Sequence, residues 1–185
     1  IFASGSGTNA ENLIQYFNQK KEVSVVQVLT NNPHAKVIDR CNNLKISCLS
    51  FNRTAFYVEN HILAILKTIN PDVIVLAGFL WKFPESILKE FPNKVINVHP
   101  ALLPKYGGKG MYGMRVHEAV VYNHEKETGI TIHYVNEHYD EGAIIFQASC
   151  TVGSNDTAAT VAEKIHKLEM EHFPRVVESF LFPNE

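Results

Sequence analysis

The chain has 185 residues, of which 45% are hydrophobic, so it is long enough to bury the core of an ordinary globular protein. Its net charge of −2 gives no electrostatic reason to expect nucleic acid or an anionic membrane as a partner, and no apolar run approaches the roughly 18 residues that span a bilayer. The three cysteines lack CxxC spacing, which argues against a disulfide framework or a zinc site. The cysteine content therefore favours a protein located in the reducing cytoplasm.

Strand-like and helix-like segments alternate through the first half of the chain. The predicted strands, rich in apolar and β-branched residues, are 1–3, 23–30, 46–49, 73–77 and 94–98. The predicted helices, with apolar residues at helical spacing, are 10–18, 35–44, 53–69 and 84–90. This order predicts an α/β fold with a doubly wound, mostly parallel sheet and right-handed crossovers.

The C-terminal part of the chain follows a different pattern. Two strands, predicted over 128–135 and 143–152, follow each other without an intervening helix, so we expect an antiparallel extension of the sheet. Residues 157–181 predict a final helix or helix pair that bends near Pro174. Because no linker, repeat or low-complexity tract interrupts the sequence, we expect a single domain over residues 1–185.

A glycine-rich segment separates the first predicted strand from the first helix. Residues 4–9 read SGSGTN, and glycines here let backbone amides face an anion at the helix N-terminus. The segment has neither the G-x-G-x-x-G spacing of a dinucleotide site nor a Walker lysine, so a single phosphate is a better match than a pyrophosphate or ATP. The alternative is an ordinary strand-to-helix turn capped by Ser or Thr.

An amide and an imidazole end the strand predicted over 94–98. Asn97 and His99 are two residues apart, so on a strand they point to the same face, and Pro100 ends the strand. In α/β folds, ligands bind at the C-terminal ends of the strands. An amide donor beside a group that titrates near neutrality can hold a developing oxyanion and move a proton.

The connection between the two late strands supplies a carboxylate. Asp140 would stabilise a protonated His99 if the strands are neighbours, although Asp140-Glu141-Gly142 is by itself also a common surface turn. His133 either supports this site or is exposed. The nine histidines show no HExxH or other compact ligand spacing, and no G-x-S-x-G elbow occurs, so we expect neither a metal site nor a serine hydrolase.

Several motifs together resemble those of a known family. They are SGSGTNAENL, PDVIVLAGFLWKF, INVHPALLPKY and HYVNEHYDEGAII, followed by a final helix in which Glu169 lies five residues before Pro174. Their order and spacing resemble the phosphoribosylglycinamide formyltransferase (glycinamide ribonucleotide transformylase) family over nearly the whole chain. The resemblance implies a Rossmann-like formyltransferase fold. It also implies transfer of a formyl group from 10-formyltetrahydrofolate to the amine of phosphoribosylglycinamide, in purine biosynthesis.

The resemblance further implies roles for individual residues. The catalytic residues would be Asn97, His99 and Asp140. The ribonucleotide would bind Gly5, Ser6, Gly7, Thr8, Asn9 and Glu169. The folate would lie against Arg53, Leu80, Trp81, Lys82, Phe83, Asn97, Asn136 and Asp140. We expect 10-formyltetrahydrofolate as co-substrate, no metal, small-molecule substrates as partners, no nucleic acid or membrane partner, and a monomer or homodimer in the cytoplasm.

The chain departs from the family pattern at two places. The family usually has Arg where Trp81 stands and an apolar residue where Lys82 stands, which predicts rearranged pterin contacts. After Tyr106 the chain is richer in glycine and lacks the family's histidines, which predicts a mobile flap. As in the relatives, we also expect a cis peptide bond at Leu103–Pro104.

Two alternatives remain open. Around Asn97, His99 and Asp140 the chain also resembles methionyl-tRNA formyltransferase and formyltetrahydrofolate deformylase, which normally lack the first loop. It could therefore be another enzyme that uses 10-formyltetrahydrofolate. The other alternative is a non-catalytic nucleotide-binding module, in which these three residues would lie far apart.

Overall fold

The computed structural model describes residues 1–183, and this part of the chain contains seven helices and six strands. The helices are α1 (Thr8–Phe17), α2 (Val37–Leu44), α3 (Arg53–Tyr57), α4 (His61–Ile69), α5 (Glu85–Glu90), α6 (Met114–Tyr122) and α7 (Ala158–Leu181). The strands are β1 (Val28–Thr30), β2 (Cys48–Ser50), β3 (Ile74–Leu76), β4 (Val95–His99), β5 (Glu127–Tyr134) and β6 (Ile144–Thr151). The chain divides into two compact units, Ile1–Ile96 and a second that begins at Asn97. The single domain expected over residues 1–185 stays a prediction.

Short parallel strands form the sheet of the first unit. β1 pairs with β2 in parallel, and Phe2 forms parallel bridges to Leu29 in β1 and to Leu76 in β3. Every residue of β1 and β3 is buried, as is usual for strands covered on both faces. The strand predicted over 23–30 is shorter than expected, since only Val28–Thr30 pair with β2.

The long helix predicted over 53–69 is wrong. The chain forms α3 and α4 there, separated by residues 58–60. Asn60 has a φ of 55°, a left-handed conformation that interrupts the helix and that asparagine tolerates better than most residues. Its carbonyl then accepts the Ala64 N–H at 2.9 Å, which starts α4.

An aromatic cluster lies in the core of the first unit. Four phenylalanine rings have centroids within 6.2 Å of the Phe2 ring: Phe51, Phe56, Phe79 and Phe83. The edge-to-face and tilted arrangements among them are favourable for aromatic pairs. Because Phe79 and Phe83 flank Trp81 in sequence, this packing holds the segment that is predicted to bind the folate.

The second unit carries the predicted antiparallel extension, which is confirmed. β4 is the neighbour of β5, and β5 pairs with β6 in antiparallel register from Glu127 opposite Thr151 to His133 opposite Ile144. The register is irregular between Ile132 and His133. Irregularities of this kind redirect side chains and are common beside active sites.

A buried hydroxyl connects the segment after β4 to β5. Thr131 Oγ1 accepts the Leu103 N–H at 3.0 Å and donates to the Ala101 carbonyl at 2.7 Å. The Leu103–Pro104 peptide bond is cis, as predicted. Buried polar groups need such partners, so the Thr131 hydroxyl fixes the course of the chain directly beyond His99.

The helices of the second unit differ from the prediction in two ways. α7 is one helix with Pro174 inside it, where a helix pair was also possible. α6 was not predicted, because four glycines directly before it obscure the helical pattern of its buried residues Val116 and Val120. α6 and α7 pack against each other, and the predicted mobility of the glycine-rich flap before α6 stays a prediction.

Replacing Thr157 by Ala should lower the free energy of unfolding by about 1 kcal/mol. The Thr157 hydroxyl accepts the Thr160 N–H, and the Thr160 hydroxyl accepts the Thr157 N–H, so the substitution removes half of the cap of α7. Urea unfolding measures the loss. Thr68→Ala is the matched control, because its hydroxyl bonds the Ala64 carbonyl inside α4, where alanine has the higher helix propensity. Equal destabilisation by both variants would contradict the role of the cap.

Candidate active site

His99 is buried at the end of β4, with 4% of its surface exposed. Its Nε2 lies 2.7 Å from the Tyr106 carbonyl oxygen, and since a carbonyl can only accept, Nε2 carries a hydrogen and donates it. Nδ1 lies 3.6 Å from Asp140 Oδ2. Nδ1 is therefore the ring nitrogen that can gain or lose a proton, and when protonated it faces a carboxylate.

Asp140 lies on the turn between β5 and β6, with its side chain 13% exposed. The Gly108 N–H donates to Asp140 Oδ2 at 2.9 Å, and Oδ1 lies 3.7 Å from His133 Nε2. The turn requires Gly142, because a Cβ there would lie 1.7 Å from the Tyr134 carbonyl oxygen. The turn signature in the sequence thus serves to hold the carboxylate beside two imidazoles.

His133 is 2% exposed, so the expectation that it might be an exposed histidine is wrong. Its Nδ1 lies 2.8 Å from the Tyr134 carbonyl and donates to it. Its Nε2 lies 3.1 Å from Asn97 Nδ2 and, in the neutral ring, accepts from that amide. Burial lowers the pKa of His133, which favours the neutral form. His133 therefore orients the Asn97 amide so that the second N–H of Nδ2 points away from His133.

The structure brings Asn97, His99 and Asp140 together in the second unit. His133 lies 3.1 Å from the Asn97 amide and 3.7 Å from the Asp140 carboxylate, and His99 lies 3.6 Å from the same carboxylate. This arrangement offers one amide N–H, one imidazole and one carboxylate to a single reacting centre, where it can hold an oxyanion and move a proton. It disfavours a non-catalytic module in which the three residues lie apart.

The glycine-rich segment of the first unit leads directly into α1. Gly7 has a φ of 74°, and a Cβ there would lie 2.5 Å from Val37, so both the conformation and the space require glycine. The N-cap residue of α1 is Gly7, which has no side chain with which to cap the helix, so the expectation of Ser or Thr as the cap is wrong. An uncapped helix N-terminus in a glycine-rich loop is a suitable place for a phosphate.

Arg40 supports this loop, a role that the sequence analysis did not predict. Its Nε donates to the Ser6 carbonyl at 2.7 Å, and its guanidinium pairs with Glu11 on α1. The Ser4 hydroxyl accepts the Leu80 N–H at 3.0 Å, which holds the other end of the loop. The sequence contains no signal for the Arg40 contact, because 34 residues separate Arg40 from Ser6 and only the fold brings them together.

The residues predicted to bind the folate from the first unit differ in exposure. Leu80 and Lys82 are exposed and Trp81 is half-buried, whereas Phe83 is 3% exposed within the aromatic cluster. The Arg53 guanidinium lies 4.6 Å from the centre of the Trp81 ring, within the range of a cation–π interaction. Trp81, a departure from the family pattern, is therefore a platform for Arg53, and the rearranged pterin contacts stay a prediction.

The remaining predicted residues lie in the second unit. Asn136 is half-buried, and its Oδ1 accepts the His138 N–H at 2.9 Å. Glu169 is on α7 with its side chain 14% exposed, and Oε2 lies 3.7 Å from His166 Nδ1. The pKa of the buried His117 is lowered by desolvation, an effect that the negative charge of Glu169 opposes. Glu169 thus lies close enough to α6 to affect a buried imidazole there.

Neither a group of metal ligands nor a membrane-spanning helix is present in the described part of the chain. Across residues 1–183, no group of three or more His, Cys, Asp or Glu side chains is placed to hold a metal ion. In the same stretch, no helix is both long and apolar enough to cross a membrane. The cysteines are thiols, and burial raises the pKa of Cys41 to about 12, so this thiol stays protonated at neutral pH.

Known proteins are similar to the chain over almost its full length. The profile of the formyl transferase family matches residues 1–177. A phosphoribosylglycinamide formyltransferase of Bacillus subtilis is 33% identical over 188 residues, which cover 98% of this chain and 93% of that protein. A chloroplastic phosphoribosylglycinamide formyltransferase of Arabidopsis thaliana is also 33% identical, with 92% of this chain and 62% of that protein covered.

A solved structure has a similar fold. The crystal structure of phosphoribosylglycinamide formyltransferase from Bacillus halodurans matches with a TM-score of 0.88 at 32% identity, covering 100% of this chain and 95% of that one. This similarity confirms the α/β formyltransferase fold expected from the sequence.

We expect His133→Gln to weaken the dependence of stability on pH. The pKa of His133 is lower in the folded protein than the ordinary value of about 6.5, so the unfolded chain binds more protons between those two values. The contribution of His133 to the free energy of unfolding is therefore complete above about pH 6.5. It falls as the pH drops towards the folded pKa, by up to about 1.4 kcal/mol per pH unit. Urea unfolding at a series of pH values measures the slope.

The buried His117, whose pKa is also lowered, should give part of the same slope, so His117→Gln is the matched comparison. An identical slope in wild type and His133→Gln would show that His133 is not held neutral by burial.

Proposed function

The chain belongs to the formyl transferase family, and we propose that it transfers the formyl group of 10-formyltetrahydrofolate to the amine of 5-phosphoribosylglycinamide. The product is formylglycinamide ribonucleotide, an intermediate of de novo purine biosynthesis. The proposal rests on the cluster of Asn97, His99 and Asp140, found in a chain that is 33% identical to a phosphoribosylglycinamide formyltransferase.

In the proposed reaction the substrate amine attacks the formyl carbon, and the carbonyl oxygen becomes an oxyanion. The free N–H of the Asn97 amide and the protonated Nδ1 of His99 donate hydrogen bonds to this oxygen. Asp140, 3.6 Å from Nδ1, stabilises the positive charge that His99 carries at this stage. His133 keeps the Asn97 amide turned so that a donor, and not its carbonyl, faces the oxyanion.

The tetrahedral intermediate then loses tetrahydrofolate. The attacking amine has become positively charged and must lose a proton, while N10 of the folate must gain one as its bond to the formyl carbon breaks. In this mechanism Asp140 accepts the proton from the amine and passes it on to N10, directly or through water. The carbonyl re-forms, the formyl group is on the new nitrogen, and His99 keeps its proton.

The substrates are proposed to bind at the two groups of residues that the resemblance indicates. For the ribonucleotide these are the loop of residues 5–9, which is assigned its phosphate, and Glu169, which is assigned its ribose or glycinamide end. For the folate they are residues 80–83, the chain from Asn136 to Asp140, and Arg53, which is assigned the folate tail. The uncapped start of α1 and the Arg40 support of Ser6 favour an anion at the loop.

A second candidate is hydrolysis of 10-formyltetrahydrofolate, because the catalytic cluster alone would serve water as well as an amine. The glycine-rich loop favours the ribonucleotide, since a hydrolase has no need of a phosphate site. A cytoplasmic location and a monomer or homodimer remain predictions. The chloroplastic relative shows that location varies among similar proteins.

His99→Ala should reduce formyl transfer by about 10²–10³-fold, the usual effect of removing one oxyanion donor. The test is to follow formation of formylglycinamide ribonucleotide from 10-formyltetrahydrofolate spectroscopically. Binding of the ribonucleotide, measured by calorimetry, should persist because the loop is unchanged. A variant as active as the wild type would refute the mechanism, and a wild type that only hydrolyses the folate would support the second candidate.

Gly5→Ala tests the phosphate loop without disturbing the fold. A Cβ at Gly5 would have no heavy atom of the described chain within 4 Å, so stability should not change. The added methyl should raise the KM for phosphoribosylglycinamide, because it hinders close approach of a phosphate to the backbone, and leave the KM for the folate unchanged. Gly7→Ala is the contrasting variant, since its Cβ would collide with Val37 and should destabilise the protein. An unchanged KM in Gly5→Ala would contradict phosphate binding at this loop.

A further inference from the structure

The backbone of residues 106–108, here called the catalytic turn, contacts both ionisable residues of the proposed catalytic cluster. The Tyr106 carbonyl accepts from His99 Nε2 at 2.7 Å, and the Gly108 N–H donates to Asp140 Oδ2 at 2.9 Å. The turn lies close against Asp140, since a Cβ at Gly107 would come within 3.3 Å of Asp140 Cβ. Any rotation of these peptide groups would therefore disturb the imidazole and the carboxylate together.

The turn holds Tyr106 in an unfavourable conformation. Tyr106 has a φ of 56°, which is uncommon for a residue with a bulky side chain. Gly108 and Gly110, which follow it, also have positive φ, and glycine adopts this region without strain, so Tyr106 is the residue of the turn whose conformation is costly. A contact of the Tyr106 side chain can offset this cost and keep its carbonyl directed at His99.

The side chain of Tyr106 makes that contact. Its hydroxyl donates to Glu125 Oε1 at 3.0 Å, and the same oxygen lies 2.9 Å from Lys105 Nζ. The hydrogen bonds from Lys105 and Tyr106 lower the pKa of Glu125, which keeps the carboxylate ionised and able to accept. Glu125 is itself fixed to the end of α6, because its N–H donates to the Val120 carbonyl at 3.2 Å.

We propose that the hydrogen bond between Tyr106 and Glu125 is a latch that positions His99 and Asp140 through the backbone of the catalytic turn. Tyr106 and Glu125 are then positioning residues, since neither touches the reacting atoms. With the latch closed, the Tyr106 carbonyl holds the hydrogen on Nε2 and leaves Nδ1 for the oxyanion. With the latch open, the turn relaxes, the imidazole loses its fixed acceptor, and fewer molecules hold the reactive arrangement. This role rests on the proposed formyl transfer.

The test compares Tyr106→Phe and Glu125→Ala with the wild type. Each removes the latch, and kcat for formyl transfer should fall by roughly 5- to 30-fold, with the KM of both substrates changed less than about twofold. Glu125→Gln keeps an acceptor oxygen and should recover most of the turnover lost in Glu125→Ala. Glu127→Ala is the matched control, because it removes a bond of the same kind, from the Ser149 hydroxyl at 3.0 Å, and should leave kcat unchanged.

A second readout does not depend on turnover. The ¹⁵N shifts of the His99 ring should show hydrogen on Nε2 in the neutral wild-type ring, and a mixture of the two tautomers in Tyr106→Phe. A purely structural role would change the stability of the variants and leave the tautomer as it was. Wild-type kcat in Tyr106→Phe, an equal loss in Glu127→Ala, or an unchanged tautomer would each overturn the latch. If the wild type itself formed no formylglycinamide ribonucleotide, the proposed function would fail, while the ¹⁵N comparison would still decide whether the latch holds His99.

Discussion

Two backbone carbonyls determine how the catalytic cluster is protonated. The Tyr106 carbonyl takes the hydrogen of His99 Nε2, and the Tyr134 carbonyl takes the hydrogen of His133 Nδ1. A carbonyl can only accept, so one nitrogen of each buried ring carries a hydrogen and donates it to the carbonyl. The other nitrogen of each ring is available to the catalytic residues: Nδ1 of His99 faces Asp140, and Nε2 of His133 faces Asn97.

The two histidines therefore have opposite hydrogen-bonding roles. His99 has its Nδ1 beside a carboxylate and is the donor in the proposed mechanism, whereas burial keeps His133 neutral and an acceptor. If His133 were protonated on Nε2, the Asn97 amide would have to turn its oxygen towards the ring, which would direct the amide away from its present orientation. An oxygen in place of the N–H would repel a developing oxyanion. Keeping one imidazole neutral is thus what makes the amide a donor.

Arg40 and Arg53, two cations of the first unit, contact other groups of the protein and do not form a simple charged pocket. Arg40 donates to the Ser6 carbonyl and pairs with Glu11, so it supports the phosphate loop from within the protein. Arg53 lies over the Trp81 ring. Phosphate binding at the loop would therefore depend on backbone amides and the start of α1, an arrangement that suits a single, well-placed phosphate more than a diffuse negative charge.

The sequence by itself determined the α/β order, the antiparallel extension, the shared face of Asn97 and His99 and the position of the glycine-rich loop. These follow from local rules: the two-residue period of a strand, the spacing of apolar residues in a helix and the freedom of glycine. The family motifs added Asp140 to the same site.

Only the tertiary structure decided which nitrogen of His99 is available, whether His133 is buried, that Arg40 supports Ser6 and that Tyr106 is held by Glu125. Each of these depends on atoms brought together from distant parts of the sequence. Several involve backbone carbonyl and amide groups, which every residue type carries and no sequence pattern can distinguish. The break at Asn60 was hidden for a related reason: the apolar pattern continues across a residue whose backbone conformation departs from the helix.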